Sequence, residues 1–336
     1  MDVIKFCEID SMSWNRYMEE LEGSSFSYLA ENMMFQIEYA KNIIANESFI
    51  IIVDKLIMGA ACIYIYEDEK KQRRVSWGGR YCPAPIINQQ LDYKNQEKYM
   101  KIIMKKIEEI EKEYQCKRSY LKFEPIANAT HQCKILNYNF LIKYGFIDKS
   151  SLTQILDLRA DMEVLYQDVH KGHKRNIKKG EEYQIDFYDS RNVTEEMIEL
   201  YRDIYEYDAG MVTRNSELYY YYYEFIKNGY GVIGFAKNEK GTVAVVIVTK
   251  FKKFAYYSSY AEKTDELDGK PVGHRLHWEM IKYLKNNGIE FYEMGEQVFG
   301  EYEKGTEEEK LVNISKFKCG FGGYTVPIFR GKKEYK

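Results

Sequence analysis

The chain has 336 residues, 45% of them apolar and 30% charged, and carries a formal net charge of −3. That length exceeds one ordinary core and suits two. The near-neutral balance excludes a global pull towards nucleic acid or membrane, so any anion binding has to come from local clusters. The six cysteines, Cys7, Cys62, Cys82, Cys116, Cys133 and Cys319, include no CxxC pair and imply neither a zinc site nor a disulfide framework. Free thiols in a reducing cytoplasm are the simplest reading.

The N-terminal "MDVIKFCEIDSMSWNRYMEEL" has early acids and lacks the apolar stretch of a signal peptide. The longest apolar runs are broken by charge and too short to span a bilayer, which leaves peripheral contact with a membrane surface open. Next, "NMMFQIEYAKNII" reads as a helix, and "SFIIIVD", "MGAACIYIYED" and "RVSWGGRYCPAPII" as strands. Tyr99, Ile103, Ile107, Ile110 and Tyr114 recur at spacings of three and four, the mark of one apolar helix face. The strand "SYLKFEP", a helix around residues 130–146 and the strand "LTQILDLR" complete this half.

The same order then returns. Helices over "MEVLYQDVHKGHKRNIKKGEEY", "EEMIELYRDIYEY" and "SELYYYYYEFIK" lead into strands "GVIGFAKN", "GTVAVVIVTKF" and "FAYYSSYAE". The tyrosine run reads as an amphipathic helix or, more sharply, as a stacking platform. A further helix places Leu276, Met280 and Leu284 on one face and ends near Gly288, a natural C′ residue. The strand "IEFYEMG" and the tail "NISKFKCGFGGYTVPIF" follow. Two such units in series predict a duplicated α/β (α+β) fold, with domains 1–152 and 153–336.

Four places could carry chemistry. The turn Lys270-Pro271-Val272-Gly273-His274-Arg275 puts cations and a glycine at a helix start, an arrangement suited to phosphate; a plain solvent-facing cap reads equally well. Lys174, Arg175 and Lys178 share a helix face that either grips an anion or is simply solvated. Lys316 and Lys318 sit in a strand-like run before Gly320, Gly322 and Gly323, with alternation placing both lysines on one face. Glu293 and Glu296 flank the end of a strand and could take a proton from an attacking amine. His274 and His277 lie three apart, but no carboxylate spacing completes a metal site, and His277 reads as packed rather than ligating.

If the strand before the second-half helix splays from the strand after it, an extended ligand fits the gap; that is the logic of the GNAT acetyltransferase fold. The segments "HKRNIKKGEE", "LHWEMIKYLKNNGIEFYEMG" and "KFKCGFGG", with "SYLKFEP" and "YGFIDKSSLTQILDLR" in the first half, together resemble the Fem family of peptidoglycan bridge aminoacyltransferases. The resemblance implies two tandem GNAT-like domains, each a mixed splayed sheet flanked by helices. It implies a cytoplasmic acyltransferase with no bound cofactor, moving an aminoacyl group from charged tRNA to the amine of a cell-envelope precursor, either a peptidoglycan peptide or a surface-glycan amino sugar. It places Lys318 at the reacting centre, Lys174 to Lys178 on the acceptor or tRNA, and Tyr256 and Tyr257 along the cleft. The coiled-coil arm of some members has no counterpart here. The loop at 270–275 keeps an acyl-CoA donor open, with a nucleotide-linked amino sugar as acceptor; a non-catalytic binding module on the same fold is a third reading.

Overall fold

The computed structural model describes residues 1–78, 80–126, 138–267 and 269–335. The chain divides into two compact units, Met1–Leu152 with Val326–Lys336, and Thr153–Thr325.

The first unit opens with β1 (Asp2–Lys5), α1 (Ser11–Glu20) and α2 (Ala30–Ala40). It continues through β2 (Ile43–Asn46), β3 (Phe49–Val53), β4 (Leu56–Ala61), β5 (Tyr64–Glu67), β6 (Arg73–Val75), β7 (Cys82–Pro83) and β8 (Ile86–Ile87). Helix α3 (Tyr93–Glu113), β9 (Arg118–Lys122) and β10 (Ile147–Asp148) follow. The run read as one strand, "MGAACIYIYED", is two: β4 stays in a four-stranded sheet ordered β1-β3-β4-β8, and β5 leaves for another sheet. Helix α3 buries Tyr99, Ile103, Ile107 and Ile110, as its spacing predicts; Tyr114 instead caps the helix and donates its hydroxyl to Glu47 at 2.7 Å. Asp92 closes the α3 N-terminus by accepting the Asn95 amide at 2.9 Å. The helix expected around 130–146 falls partly outside the described residues; its described part is a 3-10 turn, Phe140–Tyr144.

Strand β11 (Ser151–Asp157) leads into α4 (Met162–Asp168), α5 (Lys171–Lys179), β12 (Gln184–Tyr188), α6 (Glu195–Ala209) and α7 (Ser216–Lys227). Then come β13 (Gly231–Asn238), β14 (Gly241–Phe251), β15 (Phe254–Glu262), α8 (Val272–Asn286), β16 (Phe291–Gln297), α9 (Glu307–Cys319), β17 (Tyr324–Ile328) and β18 (Arg330–Glu334). The single helix expected over 162–183 is split at His170, whose ring nitrogen accepts the Gly172 amide and starts α5 anew. The sheet runs β12-β13-β14-β15-β16-β11-β17. Its centre is β14, whose Val243 to Val248 are fully buried, and Leu276, Met280 and Leu284 of α8 lie in the same core. Gly288 sits just beyond α8 with φ +79°, the left-handed cap its position predicts.

Two further expectations change. The strand-like "KFKC" is the last turn of α9. Thr306 accepts the Glu309 amide, Glu307 to Glu309 occupy the positive end, and Lys316 and Lys318 the negative end. Two residues apart on a helix are about 200° apart, so Lys316 is exposed while Lys318 turns inward. The second domain also does not run to residue 336. Strand β18 pairs antiparallel with both β9 and β10, which places Val326–Lys336 with the first unit.

Candidate active site

Strand β15 pairs with β14 from Phe254 to Glu262, with a bulge opposite Ile247/Val248 that leaves Ser258 as the extra residue. Its parallel pairing with β16 is far shorter: Phe254, Ala255 and Tyr256 face Phe291, Tyr292 and Glu293, and there the ladder stops. Both strands run on, β15 to Glu262 and β16 to Gln297. Beyond Tyr256 the β16-side edge of β15 therefore presents backbone groups that need other partners.

A cavity of about 860 Å³ occupies this opening. Tyr257, Tyr260 and Glu262 of β15 form one wall, and the start of α8 (Gly273, His274, His277) another. Met294 of β16 contributes at the floor, and α9 closes the side with Phe317 and Lys318.

The α8 N-terminus has no side-chain cap: its N-cap is Pro271. Among the described residues the amides of Gly273 and His274 find no acceptor. In α3 the equivalent end is filled by Asp92. Free N–H groups and the positive end of the helix dipole suit an anion. Gly273 is needed for a close approach: a β-carbon there would stand 2.7 Å from the Tyr260 hydroxyl. Lys270 also lines the cavity, but its ammonium is paired with Glu182 at 2.6 Å. Arg275 turns along α8 to Glu279 at 3.1 Å and stays out of the cavity, so the expected cation–Gly–Arg cradle is not assembled as a unit.

Lys318 enters from the last turn of α9. Its Nζ lies 5.6 Å from the Tyr257 ring and 3.5 Å from the Glu296 carbonyl oxygen. Gly295, at φ +97°, admits it: a β-carbon there would stand 2.9 Å from the ammonium. Burial lowers the pKa of Lys318, against the pull of Glu293 and Glu296.

The remaining expected residues lie elsewhere. Glu296 offers its main-chain oxygen to Lys318, but its side chain is exposed and does not line the cavity. Glu293 accepts the Thr153 hydroxyl at 2.9 Å. Tyr256 belongs to the last paired rung of β15 and β16, while Tyr257, one residue on, lines the cavity. Lys174 donates to the Gln167 carbonyl at 2.9 Å over the Tyr166 ring; Arg175 and Lys178 are exposed on α5, and none of the three lines the cavity.

One cavity group, Glu262, has no place in the sequence reading, and His277 is packed, as that reading expects, but packed against the cavity. Glu262 accepts the Tyr260 hydroxyl; burial raises its pKa, and Asp208 pushes the same way. His277 is fully buried yet lines the cavity, and burial holds it neutral with a pKa lowered to about 3. His274, beside it, is lowered to about 4 by burial and by His173. Among the described residues no group of three or more His, Cys, Asp or Glu side chains is placed to hold a metal ion, and no helix is long and apolar enough to cross a membrane.

Over 100% of this chain and 98% of the other, the fold matches a crystal structure of FemX with a TM-score of 0.74 at 11% identity. The fold is that of a tandem GNAT-like protein. L-PGS from Bacillus licheniformis matches over 97% of this chain and 93% of its own, with a TM-score of 0.59 at 12% identity. A tandem GNAT protein from the clavulanic acid biosynthesis pathway, solved without AcCoA, matches over 99% and 98%, with a TM-score of 0.51 at 11% identity. No family model and no curated protein matches the chain.

Proposed function

We propose that the chain is a Fem-like acyltransferase that moves an aminoacyl or acyl group from a carrier to the amine of a cell-envelope precursor, in the cavity between β15, α8 and α9. The carrying observation is the early end of the β15–β16 ladder beside an uncapped helix start, with Lys318 inside the opening. Full-length likeness to FemX supports the class of reaction. The donor carbonyl lies against the unpaired edge of β15. The neutral amine attacks its carbon, a C–N bond forms, and the C–O or C–S bond to the carrier breaks. The amine proton passes to Glu262, whose raised pKa and Tyr260 contact fit a proton acceptor better than exposed Glu296 does. Lys318 and the β15 amides balance the oxyanion, and Glu262 hands the amine proton on to the carrier oxygen or sulfur, which leaves as hydroxyl or thiol. Positioning two reactants contributes ~7 kcal/mol or more and one oxyanion donor about 3 kcal/mol, so geometry outweighs any single acid or base.

The donor is the open half. The uncapped α8 amides favour a phosphate-bearing carrier, which fits both charged tRNA and acyl-CoA. Both are made in the cytoplasm, where this reading places the protein. The deciding experiment incubates the protein with alanyl-tRNA or acetyl-CoA and a UDP-linked muramoyl pentapeptide, and follows amide formation by mass spectrometry. Product with alanyl-tRNA supports the Fem-like reading, and product with acetyl-CoA alone supports an acyl-CoA N-acyltransferase, for which nucleotide-linked amino sugars are the next acceptors. Donor binding with no transfer to either acceptor class would leave a binding module.

A further inference from the structure

We propose that His277 is the group through which the cavity reads its substrate, hydrogen-bonding an amide or hydroxyl beside the reacting carbonyl. The inference rests on the cavity being the transfer site proposed above. His277 has 0% relative exposure, and among the described residues neither Nδ1 nor Nε2 has a hydrogen-bond partner. The other two histidines of the cluster are engaged: His173 Nε2 lies 2.9 Å from the Phe317 carbonyl, and His274 Nε2 lies 3.3 Å from the Asn176 amide. Aromatic rings pack around the His277 ring, with centroids of Tyr257 at 5.2 Å, Tyr260 at 5.3 Å, Phe317 at 5.3 Å and Phe321 at 5.7 Å. It stands one turn below Gly273 on the same face of α8 and lines the cavity.

A buried imidazole with both nitrogens unmet costs stability that leucine or phenylalanine at this position would not. Among the described residues the space next to this ring that a ligand can enter is the cavity His277 helps to line, so a bound group there, with a small shift of the ring, is what would meet its nitrogens. A neutral imidazole has one N–H to give and one lone pair to take. An ammonium is repelled there, because Lys318 shares the cavity. A phosphate or carboxylate is better served by the α8 amides and Lys318. The matching partner is a neutral group that both gives and accepts, an amide or a hydroxyl, and a site built this way rejects analogues lacking that group.

Three variants of the full chain test this: His277→Phe and His277→Leu, which bracket the imidazole in volume, and His277→Asn, which keeps a donor and an acceptor. Each is melted without ligand and titrated calorimetrically with acetyl-CoA, whose pantetheine arm carries amides, and with 3′-O-alanyl-adenosine, which presents a ribose hydroxyl. The better apolar variant is expected to melt at or above the wild type, by about 2 °C. It should bind whichever probe the wild type binds at least tenfold more weakly, with His277→Asn keeping most of the affinity. The probe affected identifies the amide or the hydroxyl as the group read. Melting of both apolar variants several degrees below the wild type would overturn the proposal, because the ring would then serve the fold. Unchanged probe affinity in the apolar variants would overturn it equally. If the wild type binds neither probe, the donor reading above fails, and the melting comparison alone decides His277.

Discussion

The Tyr260 hydroxyl lies 2.7 Å from the point where a β-carbon on Gly273 would stand. The glycine at the start of α8 therefore makes room for a tyrosine of β15, and that tyrosine donates to Glu262 in the cavity. Helix start, splayed strand and carboxyl are set by one contact. Gly273→Ala should push Tyr260 off Glu262. Overpacking of this kind costs about 1–3 kcal/mol, more than the roughly 1 kcal/mol alanine gains in a helix. A lower melting temperature with a transfer rate reduced tenfold or more is expected; a variant as stable and active as the wild type would refute the link.

Lys318 and Glu296 make a ranking test. The side chain of Lys318 is inside the cavity and that of Glu296 outside it. Lys318→Ala removes a cation beside the developing oxyanion and should slow transfer on the order of 100-fold. Glu296→Ala leaves the main-chain oxygen that receives Lys318 and should change the rate less than about threefold, within what an exposed substitution does. Single-turnover rates decide, and comparable losses would remove Lys318 from the reacting centre.

Acid should weaken the fold through its histidines. Burial lowers the pKa values of His173, His274 and His277 from 6.5, the last two to about 4 and about 3. Above pH 6.5 these rings are neutral folded or unfolded, and their packing costs nothing in protonation. Below it the unfolded chain takes up protons that the fold refuses, so stability falls as pH drops from 6.5 towards 4. Glu111 and Glu262, with pKa values raised by burial, work in the opposite sense nearer their own range. Melting temperatures at pH 7.5 and 5.0 should differ by several degrees, and His274→Leu should flatten the slope; a flat profile in the wild type would contradict the buried cluster.

The tyrosine run also has a specific job. Arg214 Nη1 donates to Tyr201 at 2.6 Å and Nη2 to Tyr205 at 3.0 Å, with the guanidinium 5.9 Å from the Tyr219 ring and 5.6 Å from Tyr222. Tyr201 in turn donates to Ser259 on β15, next to the bulge, at 2.9 Å. Rings of α6 and α7 thus enclose a cation, and Tyr201 of α6 ties it to the splayed strand; the inward Tyr219 and Tyr222 of α7 favour the amphipathic-helix reading of "ELYYYYYEFI" over a stacking platform. Arg214→Ala should cost about 1–3 kcal/mol through lost cation–π contacts and stranded phenols, read as a lowered denaturant midpoint. A change within about 0.5 kcal/mol would show that the cage is incidental.

What the sequence carried, and what it did not, follows from range. Local periodicity reveals α3 and α8, and the apolar run of β14 reveals the buried centre of the sheet. Helix α9 was legible too, through Thr306 before three glutamates, but the four residues "KFKC" mimic strand alternation when read alone. Lys318 and Tyr257, picked out by motif, line the cavity. Arg275 and Glu296 are misplaced because sequence distance does not say which way a side chain turns at a helix start or a strand end. Glu262, and the place of the packed His277 at the cavity, become visible only through the fold and the neighbours that α9 brings, and β18 rejoins the first unit by pairing with residues some two hundred positions earlier.

The most direct test of the central claim is the rate of amide formation by the wild type, Lys318→Ala and Glu262→Gln under single turnover with the donor that the assay selects. Transfer by the wild type, with on the order of a 100-fold loss in each variant at unchanged melting temperature, is the expected result. Transfer that survives both substitutions would place the reaction outside this cavity.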